Sequence, residues 1–309
     1  MAKTIDLITV GHILVDIRIQ VDHIPGPDDE ARITRETRGV GGSAANVAIA
    51  ARRLGVASGV VAKIGLDDFG RIAVDGLMRE GVDITGLSVS LTRRTGFSIV
   101  AMNPQGSIAI YSYKGAAEEL EPRDLPVHIL SRARHVHIAS LRIDTSLEAA
   151  KAARRAGATI SWDPGRVLAR KGLQGLSSMV RGVDIVLVNR KEAESLAGTG
   201  DPVEAARRIQ GLGPGIVVVK LGGEGALILY KGRVYRIRAF RPERVVDTTG
   251  AGDAFAAGLI VGLLRGYDVE KAGLYASLVA SLKVARLGSH EAPTQDEVLE
   301  AAGRVGLEL

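Results

Sequence analysis

Two glycine-rich stretches hold the residues best suited to chemistry. In Asp247-Thr248-Thr249-Gly250-Ala251-Gly252-Asp253-Ala254-Phe255 the small residues run straight into an apolar helical pattern at Phe255, Leu259, Ile260 and Leu263. Small residues at a helix start let backbone N–H groups approach an anion closely, and the helix dipole favours negative charge there. Asp253 places a carboxylate at that same spot. It is either an N-terminal cap or a base that takes a proton from an attacking hydroxyl while the amides hold charge on a transferred phosphoryl group. The extra small residues and the preceding Asp247-Thr248 favour the base.

The second stretch is Gly41-Gly42-Ser43-Ala44-Ala45-Asn46-Val47-Ala48, followed by Gly55 and Gly65. Asn46 offers both donors and an acceptor, which a sugar's hydroxyls need, although a surface loop-to-helix junction would look the same. Asn189-Arg190-Lys191-Glu192 ends a strand pattern. Asn189 and Glu192 are placed either to face a magnesium–phosphate cluster through water or to form a helix-start capping pair. Lys220-Leu221-Gly222-Gly223-Glu224-Gly225 is a glycine turn between two strands, either covering a nucleotide or forming a tight hairpin. No G-x-x-x-x-G-K-[ST] or G-x-S-x-G is present, which excludes a P-loop enzyme and gives no support to a hydrolase elbow. Gly211–Gly215 precedes a strand, so it reads as a helix–strand connection and not a dinucleotide loop. His135 and His137 alternate on one strand without partners at ligand spacing and read as strand residues.

These motifs need a scaffold, and the hydrophobic periodicity supplies one. Strands are expected at Ile5–Gly11, Gly59–Ile64, His135–Ala139, Ala158–Asp163, Ile185–Asn189, Ile216–Leu221 and Ala226–Tyr230. Helical patterns lie between them, and the chain is wholly helical after Asp247. This alternation predicts an α/β fold with a mostly parallel sheet flanked by helices. His12–Val40 and Thr95–Tyr113 break the rhythm with period-two runs and turn signals at Pro25-Gly26-Pro27 and Asn103-Pro104-Gln105-Gly106. They predict a small inserted antiparallel sheet over one edge, a lid. Residues 1–11, 41–94 and 114–309 then form the α/β domain, and residues 12–40 and 95–113 the lid.

The composition agrees with that scaffold. Among 309 residues, 46% are apolar but only 4% aromatic, a Val, Ile, Leu and Ala core of the kind parallel sheets bury on both faces. The absence of cysteine excludes a disulfide framework and a Cys-ligated metal, and fits a reducing or a hot cytosol. The first ten residues carry no signal pattern and no apolar run is long enough to span a bilayer, so a cytoplasmic protein without a membrane partner is expected. The net charge of +5 comes from scattered pairs such as Arg52-Arg53 and Arg154-Arg155 on amphipathic patterns, which reads as solvated helix faces and not as a nucleic-acid surface.

Gly41–Ala48 and Asp247–Ile260 together resemble the two signatures of the ribokinase-like carbohydrate kinases, the B-type phosphofructokinase group. Two signatures in this order, roughly 200 residues apart, extend the resemblance over essentially the whole chain. The resemblance implies an ATP-dependent kinase acting on a hydroxyl of a sugar or nucleoside, with Asp253 as general base and the amides of Gly250, Ala251 and Gly252 as anion hole. It implies substrate contacts at Asp16 (from the lid), Gly42 and Asn46, with Arg166 added on grounds of charge, and nucleotide contacts at Asn189, Lys220, Gly222 and Gly225. Glu192 falls where Mg2+ is held, through water. The family often uses K+ near the anion hole, for which Asp247, Thr248 and the Arg286–Gly288 stretch are candidates.

For the acceptor, several resemblances compete. Val10-Gly11-His12 and Trp162-Asp163-Pro164-Gly165 are similar to archaeal nucleoside kinases. Tyr111-Ser112-Tyr113-Lys114-Gly115 resembles a Tyr-Tyr-Arg-Lys-Gly segment of 2-keto-3-deoxygluconate kinases, with Tyr113 in place of the arginine. Arg94, Lys114, Arg142 and Arg166 either lie on the surface or gather at the pocket mouth, where they would suit a sugar acid or fructose 6-phosphate. A non-catalytic ligand-binding regulator on the same fold is the rival from another class. Exposed lid edges predict a homodimer through the lids.

Overall fold

A computed structural model describes residues 3–309 as a nine-stranded sheet with helices on both faces and a separate four-stranded sheet. In chain order the strands are β1 (Ile5–Gly11), β2 (Leu14–Val21), β3 (Ile33–Gly41), β4 (Ser58–Gly65), β5 (Asp83–Ser90), β6 (Thr95–Met102), β7 (Ile108–Gly115), β8 (Ala133–Ala139), β9 (Thr159–Asp163), β10 (Ile185–Asn189), β11 (Ile216–Lys220), β12 (Ala226–Tyr230) and β13 (Arg233–Ile237). The helices are α1 (Ser43–Arg53), α2 (Asp68–Arg79), α3 (Val127–Leu130), α4 (Ile143–Arg155), α5 (Gly165–Ala169), α6 (Gly172–Arg181), α7 (Arg190–Ala197), α8 (Pro202–Gln210), α9 (Ala251–Leu264), α10 (Val269–Val284) and α11 (Gln295–Arg304).

The large sheet runs β13-β12-β11-β10-β9-β8-β1-β4-β5. Every pair from β11 to β5 is parallel, because a helix-containing crossover joins each successive strand. Only the short glycine turn separates β11 from β12, so those two pair antiparallel, as do β12 and β13. The parallel strands are apolar on both faces. Ile8 and Val10 pack with Val136, Ile160 and Val186 toward α4, α6 and α8. Leu7 packs with Val47, Leu187 and Phe255 toward α1, α9 and α10 on the other side. Strand order reverses at β1, which lies between β8 and β4. In open α/β sheets the crevice beyond the strand C-termini at such a reversal is the favoured ligand site.

The small sheet, ordered β3-β2-β6-β7, is two antiparallel hairpins joined through a parallel β2–β6 pair. The alternating runs located these strands but not the parallel centre, which depends on how the two separate insertions meet. Ile13, Val40, Ala73 and Leu77 form a third apolar cluster with Ala44, Ala48 and Ile49 of α1, so α2 and α1 hold the small sheet over the large one. Sequence periodicity left out β5 and β13. Both are edge strands, and their half-exposed residues carry no clean alternation. The 165–181 segment, whose periodicity is interrupted by Gly165, Gly172 and Gly175, forms α5 and α6.

Candidate active site

Five strands bring their C-terminal ends to one crevice. Gly11 ends β1, Ala139 ends β8 beside Asp163 of β9, and Asn189 of β10 pairs in register with Lys220 of β11. Helix α9 enters the same crevice with its N-terminus. It is buried along most of its length and packs against α10, where a Cβ on Gly258 would lie 2.8 Å from Ala276 Cα. That close contact holds α9 rigidly, so the position of Asp253 is set by core packing.

Gly250 caps α9 with φ 79°, a conformation that costs other residues strain, and it packs against the Ser289 carbonyl. The Ala251 amide turns back to Thr248 O at 3.2 Å. It is therefore engaged, and the amides of Gly252 and Asp253 are the first-turn donors with no acceptor among the described residues. Of the sequence-based trio, Gly250 and Gly252 thus keep amides with no acceptor among the described residues, while the tight turn at 248–251 engages that of Ala251.

Asn46 Nδ2 donates to Asp253 Oδ2 at 2.7 Å, joining the two glycine motifs across 207 residues. Burial pushes the Asp253 carboxyl up to about 6, against the opposing pull of the Asn46 hydrogen bond and the Lys220 charge. Asn46 is buried, and its Oδ1 has no hydrogen-bond partner among the described residues. A buried amide oxygen aimed into a crevice is an acceptor in need of a donor.

Lys220 Nζ reaches Asp163 Oδ2 at 2.7 Å, with both side chains largely buried. The same ammonium lies 3.3 Å from where a Cβ on Gly252 would stand, directly beside the free amides. Burial lowers the Lys220 pKa, but Asp163, Glu192 and Asp253 outweigh it and the net shift is upward. Glu192 is buried at 7% exposure, and its pKa is raised by burial and then by the Asp163 charge. Asn189 and Glu192 also form a reciprocal cap on α7: Asn189 N donates to Glu192 Oε2 and Glu192 N to Asn189 Oδ1, each at 2.9 Å. Structural capping and placement at the crevice therefore coexist. Gly222 (φ 64°) and Gly225 (φ 91°) bracket the β11–β12 turn beside Lys220. Among the described residues no cluster of three or more His, Cys, Asp or Glu is placed to hold a metal unaided. His135 and His137 instead bond to Thr159 and Ser161 within the sheet.

Asp16, on β2 of the small sheet, is 5% exposed. Its Oδ1 accepts from Ser98 Oγ and its Oδ2 from Ser289 Oγ, each at 2.5 Å, while Arg18 Nη2 lies 3.2 Å from Oδ2. It packs against Gly41, and Gly42 starts α1 at φ 91° under the His12 carbonyl. Asp247 is buried, with Oδ1 accepting from Thr249 N at 2.8 Å and Oδ2 from Gly288 N at 3.1 Å. Burial raises its pKa, but these amides and Lys283 outweigh that and hold the carboxyl below its ordinary range. The Thr248 side chain is exposed.

Beyond Asp163 and His12 the crevice opens into a cavity of about 740 Å³ lined by His12, Lys114, Ser140, Arg142, Arg166 and Arg170, with Glu118 as its one acidic residue. Arg142 is occupied by a two-point pair with Asp144 at 2.7 Å. Lys114, Arg166 and Arg170 have no hydrogen-bond or ion-pair partner among the described residues. Lys114 is partly buried, which lowers its pKa, partly offset by Glu118 and Asp16. Burial and Lys114 together pull His12 down to about 4, so its imidazole is neutral at physiological pH. Arg94, grouped with these cations from sequence, instead lies 83% exposed, 3.6 Å from Asp67.

The fold and the crevice define a ribokinase-like α/β kinase scaffold. The model of the pfkB family of carbohydrate kinases matches residues 4–296, and the chain belongs to that family. It is a phosphotransferase with an alcohol group as acceptor. An ATP-dependent ribose-1-phosphate kinase of Halopiger xanaduensis is 35% identical over 94% of this chain and 96% of its own length. A nucleoside kinase of Methanothermobacter thermautotrophicus is 33% identical over 92% of this chain and 91% of its own. A ribokinase II-like protein of E. coli solved with ATP and Mg2+ superposes with a TM-score of 0.84, at 26% identity, over 97% of this chain and 99% of its own.

Proposed function

We propose that the chain transfers the γ-phosphate of ATP to a hydroxyl of a small sugar that already bears an anionic group, of the ribose 1-phosphate class. The cavity beside the crevice carries this reading. It holds three unpaired cations, Lys114, Arg166 and Arg170, against a single glutamate, and a fourth cation already paired. Its volume of about 740 Å³ is that of a small-molecule site. No Phe, Tyr or Trp of the described residues lines it; the only planar faces it offers a base are the His12 imidazole and the arginine guanidinium groups. The family relative that phosphorylates ribose 1-phosphate by name accords with this chemistry.

In this reading Asp253 takes the proton of the attacking hydroxyl, and its raised pKa makes it a competent base near neutrality. Asn46 fixes the carboxylate's orientation. The free amides of Gly252 and Asp253, with Lys220 beside them, stabilise charge on the transferred group. Asp16 and the unpaired Asn46 oxygen receive sugar hydroxyls, over the glycine surface at Gly42. Asn189 and the Gly222–Gly225 turn border the nucleotide. Glu192 and Asp163 are hard oxygen donors that suit Mg2+ through water, and the metal would arrive with the nucleotide. When bound, Mg2+ neutralises phosphate charge. The small sheet acts as a lid that excludes water. Ile33, Ile108, Ile110 and Tyr111 are exposed on that sheet, and a second copy would cover them in a homodimer; a monomer in sedimentation at micromolar concentration would contradict that pairing.

The test is ADP release from ATP and Mg2+ over ribose 1-phosphate, ribose, nucleosides, fructose 6-phosphate and 2-keto-3-deoxygluconate, with Asp253→Asn alongside. Turnover on a phosphorylated pentose, lost in the variant, supports the reading. Preferential turnover on neutral nucleosides overturns it.

A further inference from the structure

Helix α10 is apolar where it crosses the molecule, yet its last turn contains Lys283, whose side chain is 0% exposed. A charged residue at full burial requires a partner. Lys283 Nζ donates to the Asp247 carbonyl oxygen at 2.8 Å and lies 4.0 Å from Asp247 Oδ2. From the other side, Arg18 Nε, itself without a hydrogen bond, lies 3.7 Å from the same Oδ2. The remaining contacts of the carboxylate are also donors, the amides of Thr249 and Gly288 and the Thr249 hydroxyl. The Asp247 oxygens therefore already face an ammonium, a guanidinium, two amide hydrogens and a hydroxyl.

The family resemblance led to K+ at Asp247, Thr248 and the Arg286–Gly288 stretch, but the Asp247 oxygens are already engaged and Gly288 turns its N–H toward them. K+ needs several oxygens directed at one point. Here the buried oxygens are directed at Lys283, and a second cation would have to sit between two fixed positive groups. We propose that Lys283 is a built-in replacement for an exchangeable monovalent cation, and that this kinase is indifferent to K+. The position explains what the ammonium does. Asp247 leads through Thr249 into Gly250, which packs on Ser289; Ser289 in turn holds Asp16. The Asp247 and Val246 amides also bond to Val284 O, one residue beyond Lys283. Lys283 thus ties the end of α10 to the turn that presents the free amides of α9. It is a positioning residue, acting through Asp247, and touches neither phosphate nor acceptor.

The test compares the full-length protein in KCl, NaCl and tetramethylammonium chloride at equal ionic strength. The wild-type melting temperature is expected to be the same in all three, and ADP release to agree within about twofold. A K+-specific, saturable rise of roughly 5 °C in melting temperature, or a tenfold rise in rate, would overturn the proposal. In Lys283→Ala the vacated space should create a cation site. Its kcat in tetramethylammonium is expected to fall about tenfold or more with little change in KM for ATP, and K+ or ethylammonium should restore kcat and raise the melting temperature. A folded Lys283→Ala with wild-type kcat in tetramethylammonium would also overturn the assignment. The wild-type arm decides the matter where the variant does not fold. The melting measurement needs no acceptor, so it is independent of which sugar the enzyme phosphorylates.

Discussion

The crevice around Asp253 and the cavity beyond it are both rich in charge, but the charges are arranged in opposite ways. In the crevice each buried cation has a carboxylate at hand, Lys220 with Asp163 and Lys283 with Asp247. In the cavity Lys114, Arg166 and Arg170 make no ion pair among the described residues, although Glu118 and Asp16 lie near enough to Lys114 to act on its charge. Buried charges must be compensated within the chain, because breaking such a pair costs several kcal/mol. Partly exposed cations can remain uncompensated because water screens them, and they become selective only when a ligand brings an anion and displaces that water. In the proposed function, the crevice performs one reaction on whatever is held in it, and the cavity chooses what is held.

The largest effect expected falls on the crevice. Asp253→Asn should lower kcat by about 10³-fold, the usual range for loss of a general base, while nucleotide binding persists. The same change should raise the melting temperature at pH 7. Burial lifts the Asp253 pKa to about 6, so folding favours the protonated carboxyl, and that stability is lost as pH rises through 6. A neutral amide escapes the loss. A variant with near-normal turnover would remove the distinction between the two regions.

Next come the cavity cations. Lys114→Ala and Arg166→Ala should each lower kcat/KM for ribose 1-phosphate by about 10- to 100-fold, the worth of a hydrogen bond to a charged group, and leave ribose nearly unchanged. Equal losses on both acceptors would mean that these residues support structure instead of selecting an anion. In the crevice, wild-type kcat should rise with pH through about 6 as Asp253 loses its proton. Lys220→Met removes a charge that holds this pKa down, so the acid limb should move to higher pH. An unmoved limb would disconnect Lys220 from the base. The smallest effect is expected at Arg142. Its guanidinium is already occupied by Asp144, and Arg142→Ala should stay within about twofold, as exposed ion pairs are worth little.

The same two regions differ in how far the sequence disclosed them. Asp253 and Asn46 stand inside glycine signatures whose local pattern announces a helix N-terminus, and the fold joins them at 2.7 Å. The α/β alternation was equally plain, since each parallel strand is a continuous apolar run between amphipathic helices. The partnership of Lys220 with Asp163 was not visible, because it depends on β9 and β11 flanking β10 in one sheet. The available signal was that both residues end strands, on the edge where α/β ligands gather. Lys283 had a signal too: a lysine between Leu282 and Val284, at the end of the apolar run of its helix. Strand β13 gave none, since Arg233 and Arg236 break its pattern and its position is set by pairing with β12.

The most direct test of the central claim is the ratio of kcat/KM for ribose 1-phosphate to that for ribose, in the wild type and in the Lys114→Ala, Arg166→Ala double variant. The account predicts a large wild-type preference for the phosphorylated sugar that collapses in the double variant, with turnover on ribose retained. A ratio near unity in the wild type, or one unchanged in the double variant, would contradict it.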